Sequence, residues 1–170
     1  PYRKIISDLL HGDYQKVCRT FFEYYDAQTG SSRTAGIALT DLRKLDYVCD
    51  AFRDIVNNAT VDINSKEFRN GLQRLDRNSI FGQAMLFDLG SVAEHLCPSD
   101  PQLIAKFNSA LNECMPYRAN TKYVLYGDTD CLTIDTYCGF NCFVPFAYHD
   151  NTYNIYFRDC GWNRAVHFYR

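Results

Sequence analysis

The stretch CGFNCFVP, from Cys138 to Pro145, decides how the rest of the chain can be arranged. Its large apolar residues run between a glycine and a proline, and the run is too short and too aromatic for a surface helix. A continuous apolar run of this length predicts a strand that is buried on both faces. Such a strand needs neighbours, yet only residues 34–39, 121–126 and 131–136 are otherwise strand-like. The sequence therefore predicts a central strand whose sheet the chain does not itself complete.

Length and charge limit the class of protein. With 170 residues, the chain can bury a full core, so residues 1–170 are expected to form one domain without needing metals or disulfides. The 18 basic and 20 acidic residues give a net charge of -2 without any basic block, which argues against a nucleic-acid partner. No stretch reaches the roughly 18 apolar residues of a membrane span. The opening Pro1-Tyr2-Arg3 enters a helical pattern directly, as expected of an internal start.

Two helices are predicted at the start of the chain. The first is ended by Gly12, which suits the left-handed residue that closes a helix. Asp13 caps the second helix, which runs to the loop at 29–32. Both helices are expected to be buried. Their apolar residues are Tyr2, Ile5, Ile6, Leu9 and Leu10 in the first, and Tyr14, Val17, Cys18, Phe21, Phe22 and Tyr25 in the second.

Four further helices are predicted before the strand-rich part. A long helix from about Asp41 to Asn57, capped by Thr40, alternates apolar spacings of three and four and is expected to bury one side. That side consists of Leu42, Leu45, Cys49, Phe52 and Val56. The other three helices are expected over Ser65–Leu75, from Asp88 or Ser91 to Leu96, and from Asp100-Pro101 to Pro116.

The last third of the chain is richer in strand patterns. Residues 121–126 and 131–136 flank the polar loop 127–130 and predict a hairpin. An aromatic tail follows the stretch at 138–145, and Gly161 divides it into two short turns. The tail contains Tyr153, Tyr156, Phe157, Trp162, Phe168 and Tyr169. The predicted class is α+β and mainly helical, with a helical bundle, a hairpin and strands that would complete a larger sheet.

The cysteines suggest a zinc site, but their spacing disfavours one. The candidate ligands are Cys131, Cys138, Cys142, Cys160, His149 and His167. No CxxC pair occurs. On an extended strand Cys138 and Cys142 would lie about 13 Å apart, which zinc–sulfur bonds of about 2.3 Å cannot bridge. All eight cysteines are better explained as free thiols, most of them buried, with Cys18, Cys49 and Cys114 on apolar helix faces. No metal and no cofactor is expected.

Two other chemical sites are weakly indicated. Asp128, Asp130 and Asp135 resemble a calcium loop only superficially, because the central glycine and terminal glutamate of such a loop are missing. A Cys/His nucleophilic pair is conceivable, yet no cysteine lies in a small-residue loop that would expose it. His11 and His95 fall at helix ends, where an imidazolium favours the helix dipole. No catalytic residue is therefore assigned within the chain.

Several short motifs resemble the C-terminal half of clostripain-like cysteine peptidases, family C11 of the caspase-like clan. Pro1-Tyr2-Arg3-Lys4-Ile5-Ile6 is similar to the helix start that follows the catalytic-cysteine strand in that family. The strand-then-helix segment at 37–45 is similar to the family's DLSKL segment, and Phe87 to Gly90 to its DLGDF element. Gly139 to Pro145 resembles its GLSIYFP strand, and the segment 154–165 its tyrosine and tryptophan tail. The matches span nearly the whole chain in the right order.

This resemblance implies a reason for the incomplete sheet. In such peptidases the N-terminal half builds a caspase-like sheet, to which the C-terminal half returns strands, here Thr34 to Leu39 and Gly139 to Pro145. The family's catalytic cysteine and histidine would both lie upstream of Pro1, and so would the residues that set cleavage preference. The strand reads GFNCFVP rather than the family's small and aliphatic residues, so its packing partners are expected to differ.

The resemblance therefore implies a function as part of a larger enzyme. The parent would hydrolyse peptide bonds after arginine or lysine, and this chain would supply scaffold and part of the cleft. Its partners would be the N-terminal catalytic half and, through the parent, a peptide substrate. The family is commonly secreted or held in the cell envelope. Two alternatives are a binding module that uses an exposed aromatic tail and an enzyme complete in this chain.

Overall fold

The computed structural model describes residues 2–76, 84–125, 131–145 and 152–169, without the side chains of Ser31 and Leu125. Its helices are α1 (Tyr2–Leu10), α2 (Tyr14–Asp26), α3 (Leu45–Asn58), α4 (Lys66–Gly71), α5 (Leu89–Leu96), α6 (Pro101–Cys114), α7 (Thr152–Asp159) and α8 (Gly161–Val166). Its strands are β1 (Gly36–Leu39), β2 (Leu86–Asp88), β3 (Tyr117–Asn120), β4 (Tyr123–Leu125), β5 (Cys131–Thr133) and β6 (Asn141–Phe143). The predicted α+β, mainly helical class is confirmed. None of the helices in these ranges is long and apolar enough to cross a membrane.

The core is built around α3, which packs against α5, α6 and α8. Phe52 of α3 is completely buried. Its ring centroid lies 5.8 Å from each of the rings of Phe107, Trp162 and Phe168. Aromatic pairs at this separation add attraction to the gain from burial. Phe52 therefore connects the long helix to α6 and to the C-terminal segment.

The prediction for α3 is correct at its centre and wrong at its start. Phe52 and Cys49 are buried as predicted, but Leu42 is 74% exposed. Asp41, rather than Thr40, accepts the capping bond, and it caps a 3-10 turn at Leu42–Lys44. Because α3 begins only at Leu45, its inward face does not extend back to Leu42.

The capping signals correctly place the starts of α2 and α6. Asp13 accepts a bond from the N–H of Lys16 at the start of α2, and Gly12 before it is left-handed, with φ 70. Asp100 caps α6, with Pro101 in its first turn. The predicted helix Ser65–Leu75 is shorter, because Ser65 is its cap and it ends at Gly71.

The expectation that the first two helices are buried is wrong for α1. Its apolar residues Tyr2, Ile6, Leu9 and Leu10 are 76%, 56%, 47% and 82% exposed. The buried residue of α1 is instead the acidic Asp8. In α2, Cys18 and Thr20 are buried while Tyr14 is exposed. The apolar face of α1 is only partly covered by the described part of the chain.

The stretch at 138–145 is not a central strand buried on both faces. Within it only β6 is extended, with Asn141 exposed and Cys142 buried. Gly139, with φ 94, bends the chain before the strand begins. The central strand is β2, which pairs antiparallel with β6 on one edge. On its other edge it is bonded to residues 73–75, since Leu75 N–H donates to Leu86 and Asp88 N–H donates to the carbonyl of Gln73.

Two further antiparallel pairs complete the strand arrangement. Strands β4 and β5 form the predicted hairpin, whose loop at 127–130 lies outside the described residues. Strand β1, which lies within the predicted strand at 34–39, pairs with β3, and the sequence pattern does not predict β3. The pattern does not predict β2 either, because Asp88 is also a helix-start signal.

The aromatic tail is largely part of the core rather than an exposed surface. Phe168 and Tyr169 are buried, while Tyr156 is 73% exposed. Asn163 of α8 donates to the carbonyl of Tyr169 and accepts from its N–H. The break at Gly161 lies where predicted, since α8 begins there.

Phe52 and Leu42 give a direct test of the core. Replacing Phe52 with alanine should lower the free energy of unfolding by about 3–5 kcal/mol, because a fully buried aromatic ring is lost. Replacing Leu42 with alanine should change it by no more than about 0.5 kcal/mol. Urea unfolding monitored by circular dichroism measures both. Equal losses for the two variants would contradict this description of α3.

Candidate functional site

The eight cysteines are all free thiols, and six of them are buried. The three cysteines predicted in the core, Cys18, Cys49 and Cys114, are buried as expected, and burial raises the pKa of each. Burial also raises the pKa of Cys138 and of Cys142 to about 12. Thiols with raised pKa values are protonated at neutral pH and are poor nucleophiles and metal ligands. The buried thiols therefore serve as packing groups.

Cys138 belongs to a buried junction between β2, α5 and the turn before β6. The carboxylate of Asp88 accepts bonds from the N–H of Cys138 at 2.6 Å and from the N–H of Ser91 at 2.9 Å. The N–H of Gly90 donates to the Cys138 sulfur at 3.2 Å. A Cβ on Gly90 would lie only 3.0 Å from the Asp88 carboxylate and 3.1 Å from Cys138 Cβ. The structure explains the sequence Asp88-Leu89-Gly90. Asp88 caps α5, and Gly90, which has no side chain, lets Cys138 pack close to the start of the helix.

Arg69 holds the other end of β6 in place. Its guanidinium donates to the carbonyls of Val144, Pro145 and Ala84, each at 2.6 Å, and lies 5.2 Å from the centre of the Phe87 ring. Burial lowers the pKa of Arg69, while Asp76 opposes that effect. Arg69 satisfies backbone carbonyls that would otherwise be buried without partners. This arrangement fixes strands rather than forming a reactive site.

The zinc candidates are not gathered into a site among the residues that the structure describes. No group of three or more potential ligands occurs there, and His149 lies outside the described ranges. Cys138 Sγ donates to the carbonyl of Phe140, and Cys160 caps α8. The premise that Cys138 and Cys142 share one extended strand is wrong, because the chain bends at Gly139. That no metal binds remains a prediction.

The remaining candidates occupy ordinary structural positions. Asp128 and Asp130 lie outside the described ranges, and Asp135 is exposed, with its N–H bonded to the Gln73 side chain. His11 and His95 each bond through Nδ1 to the carbonyl four residues earlier, at helix ends as predicted. Within the described ranges no histidine is hydrogen-bonded to a thiol. That the chain has no catalytic residue also remains a prediction.

The outer edge of the β1–β3 pair is a candidate interaction feature. The N–H of Thr121 donates to the carbonyl of Ala35. Bonding alternates along antiparallel strands, so the backbone groups of Ile37 and Leu39 face β3. Those of Gly36 and Ala38 must point away from β3, toward the outer edge. An edge of this kind is a template for another strand.

Both faces of this two-stranded unit contact other segments, although none of its residues is fully buried. On one face Gly36 packs against Tyr137, and a Cβ added to Gly139 would lie 3.1 Å from Ala38 and collide with the Met115 thioether. The opposite face carries Tyr117. Burial raises the pKa of Tyr117, and Arg19, Cys18 and Glu23 of α2 act on it electrostatically, so α2 covers that face. Within the described part of the chain, contacts lie above and below the unit, and no further strand pairs with its outer edge.

Comparisons with solved structures identify the fold. A clostripain from Bacteroides thetaiotaomicron, in complex with the peptide inhibitor BTN-VLTK-AOMK, is 28% identical with a TM-score of 0.81, over 98% of this chain and 70% of that one. A secreted C11 cysteine protease from the same organism is also 28% identical with a TM-score of 0.81, over 98% and 44%. An inactive zymogen C11 protease from Parabacteroides distasonis is 20% identical with a TM-score of 0.72, over 91% and 43%. No family model and no curated protein sequence matches the chain.

The chain is accordingly a C11-like domain with the fold of clostripain-like cysteine proteases. It spans 70% of the first of these structures and less than half of the second and third. The resemblance inferred from short motifs is thus confirmed at the level of fold.

The buried junction predicts a specific loss of stability. Replacing Asp88 with alanine should cost about 2–4 kcal/mol of unfolding free energy, because a helix cap is lost and the buried N–H of Cys138 loses its partner. Asp100→Ala is the matched control, since Asp100 only caps α6 and should cost about 0.5–2 kcal/mol. Equal costs in thermal or urea unfolding would mean that the bond to Cys138 contributes nothing.

Thiol labelling should follow burial. Cys131 is the exposed cysteine and should react first with iodoacetamide in the folded protein. Cys138 and Cys142 should react only on unfolding, because their pKa of about 12 leaves almost no thiolate. Mass spectrometry of timed digests measures the order, with Cys131→Ser as the control. Fast labelling of Cys138 or Cys142 in folded protein would contradict the structural role assigned to them.

Proposed function

We propose that the chain is the non-catalytic C-terminal part of a clostripain-like cysteine endopeptidase. Its parent hydrolyses peptide bonds with a cysteine and histidine on a preceding N-terminal half. This chain provides scaffold and one wall of the substrate cleft. The single observation that carries the proposal is the outer edge of β1, in a C11-like fold whose solved examples are longer than this chain.

The β1 edge supports a sheet shared between the two halves. Ala38 and Gly36 present backbone donors and acceptors outward, and both faces of the unit already contact other segments. A strand from the N-terminal half would pair at this edge. Pairing would remove an edge that otherwise favours aggregation.

The buried thiols support a catalytic pair outside the chain. Peptide hydrolysis of this type needs a thiolate, a base within about 2.6–3.2 Å and donors for the oxyanion. The pKa of Cys138 and of Cys142 is about 12, so neither supplies a thiolate. In the proposed parent the histidine accepts the thiol proton and the thiolate attacks the peptide carbonyl. The C–N bond then breaks, the amine leaves with the proton from the histidine, and water hydrolyses the thioester to release the acid and restore the thiol.

Cleavage after arginine or lysine is the proposed preference. The inhibitor in the Bacteroides clostripain complex contains the sequence VLTK, and its lysine is consistent with a basic residue at the cleavage site. A second similar protein is described as secreted, which supports export of the proposed parent.

Activity with and without the N-terminal half tests the proposal. The chain alone should not cleave arginyl or lysyl reporter peptides, whereas co-expression with the preceding half should produce turnover sensitive to iodoacetamide. Replacing the proposed upstream cysteine with alanine should abolish turnover, and Cys131→Ser in this chain should leave it unchanged. Turnover by the isolated chain, lost on replacing one of its own cysteines, would favour an enzyme complete in itself.

A further inference from the structure

The first helix has a wider apolar side than its neighbour covers. Successive residues of a helix are offset by about 100°, which places Leu9, Tyr2, Ile6 and Leu10 within a sector of about 100°. All four are exposed by 47% or more. A sector of this width normally faces a core. We call these four residues the α1 stripe.

The contact between α1 and α2 uses a different side of the helix. Asp8 of α1 is buried and pairs with Lys16 of α2 at 2.9 Å, and Thr20 of α2 donates to the same carboxylate at 3.3 Å. Lys16 lowers the pKa of Asp8 through this bond, so the carboxylate is charged at neutral pH. By the same offset, Asp8 lies about 120° or more from Tyr2 and Ile6. The ion pair therefore turns the α1 stripe away from α2.

We propose that the α1 stripe is a contact surface for the N-terminal half of the parent peptidase, an inference that rests on the proposed function. The partner would offer a complementary apolar surface. Exposed Arg3 borders the stripe one turn from Ile6, which favours an acidic group at that margin of the partner. The stripe thus adds a second contact, separate from the outer edge of β1.

The length of the related structures favours this occupant over another. The clostripain-like structures include chain beyond the part that matches this one, so the fold has material available to cover the stripe. In the proposed parent the preceding segment joins α1 at its first turn, directly beside Tyr2. Contiguous exposed apolar side chains of this kind mark interaction surfaces in soluble proteins. A second copy of this chain is the competing occupant.

A charge placed in the stripe tests the proposal. In the complex co-expressed with the N-terminal half, Ile6→Glu should increase dissociation at least about tenfold, because a carboxylate would be buried against an apolar surface. Leu42→Glu is the matched control, since Leu42 is 74% exposed but lies outside the stripe. It should leave dissociation unchanged. The measurement is the fraction of the N-terminal half retained on the tagged chain over time after dilution.

Folding and activity measurements keep the outcomes distinct. Circular dichroism of the Ile6→Glu chain should match the unaltered chain, because residue 6 is exposed in it. If both variants dissociate at the same rate, or if Ile6→Glu abolishes only self-association of the chain, the α1 stripe is not this contact. A stable, Ile6-dependent complex without turnover would contradict the proposed function while supporting the interface. Turnover that is unchanged by Ile6→Glu would support the proposed function and contradict the interface.

Discussion

The C-terminal part of the structure depends on the hydrogen bonds that the carboxylate of Asp88 accepts. Asp88 is 1% exposed and joins three segments by accepting bonds from the first turn of α5 and from Cys138. A buried acceptor of this kind must be matched by donors, or it costs several times the value of an ordinary hydrogen bond. The bond to Cys138 helps to fix the turn at 138–140, and with it the register of β6 on β2. Arg69 performs the complementary task at the far end of β6, where it donates to carbonyls.

The described part of the chain combines a well-packed core with two surfaces that are not paired or covered. Phe52, Phe107 and Leu111 are essentially inaccessible to solvent, as in a self-sufficient domain. The outer edge of β1 and the α1 stripe, in contrast, display groups that proteins usually pair or cover. The two features belong to different parts of the molecule, since the core lies around α3 while the open surfaces lie on the first elements. A domain that folds on its own core and docks through its first elements accounts for both.

The cysteines illustrate how composition alone misleads about chemistry. Eight thiols in a cysteine-protease fold invite the search for a nucleophile, yet burial raises the pKa of Cys18, Cys49, Cys114, Cys138 and Cys142. Reactivity requires the opposite shift, which a nearby cation, a helix N-terminus or a metal would provide. At Cys138 the N–H of Gly90, in the first turn of α5, acts in that direction, but burial outweighs it. The buried cysteine then behaves as a small apolar residue.

Local signals in the sequence determined most helices and several of their ends, because capping and chain reversal depend on a few neighbouring residues. The start of α3 and the extent of α4 are the exceptions. Asp13, Asp100 and Gly12 act within one turn of where they stand, and the break at Gly161 is equally local. Tertiary structure alone decided which strand is central and which side of α1 is covered. Strand β2 is only three residues long and acquires its place from partners at 73–75 and 141–143, which no local pattern encodes. The α1 stripe has a correct amphipathic pattern, yet whether it is buried depends on what packs against it, and the Asp8–Lys16 ion pair turns it away from α2.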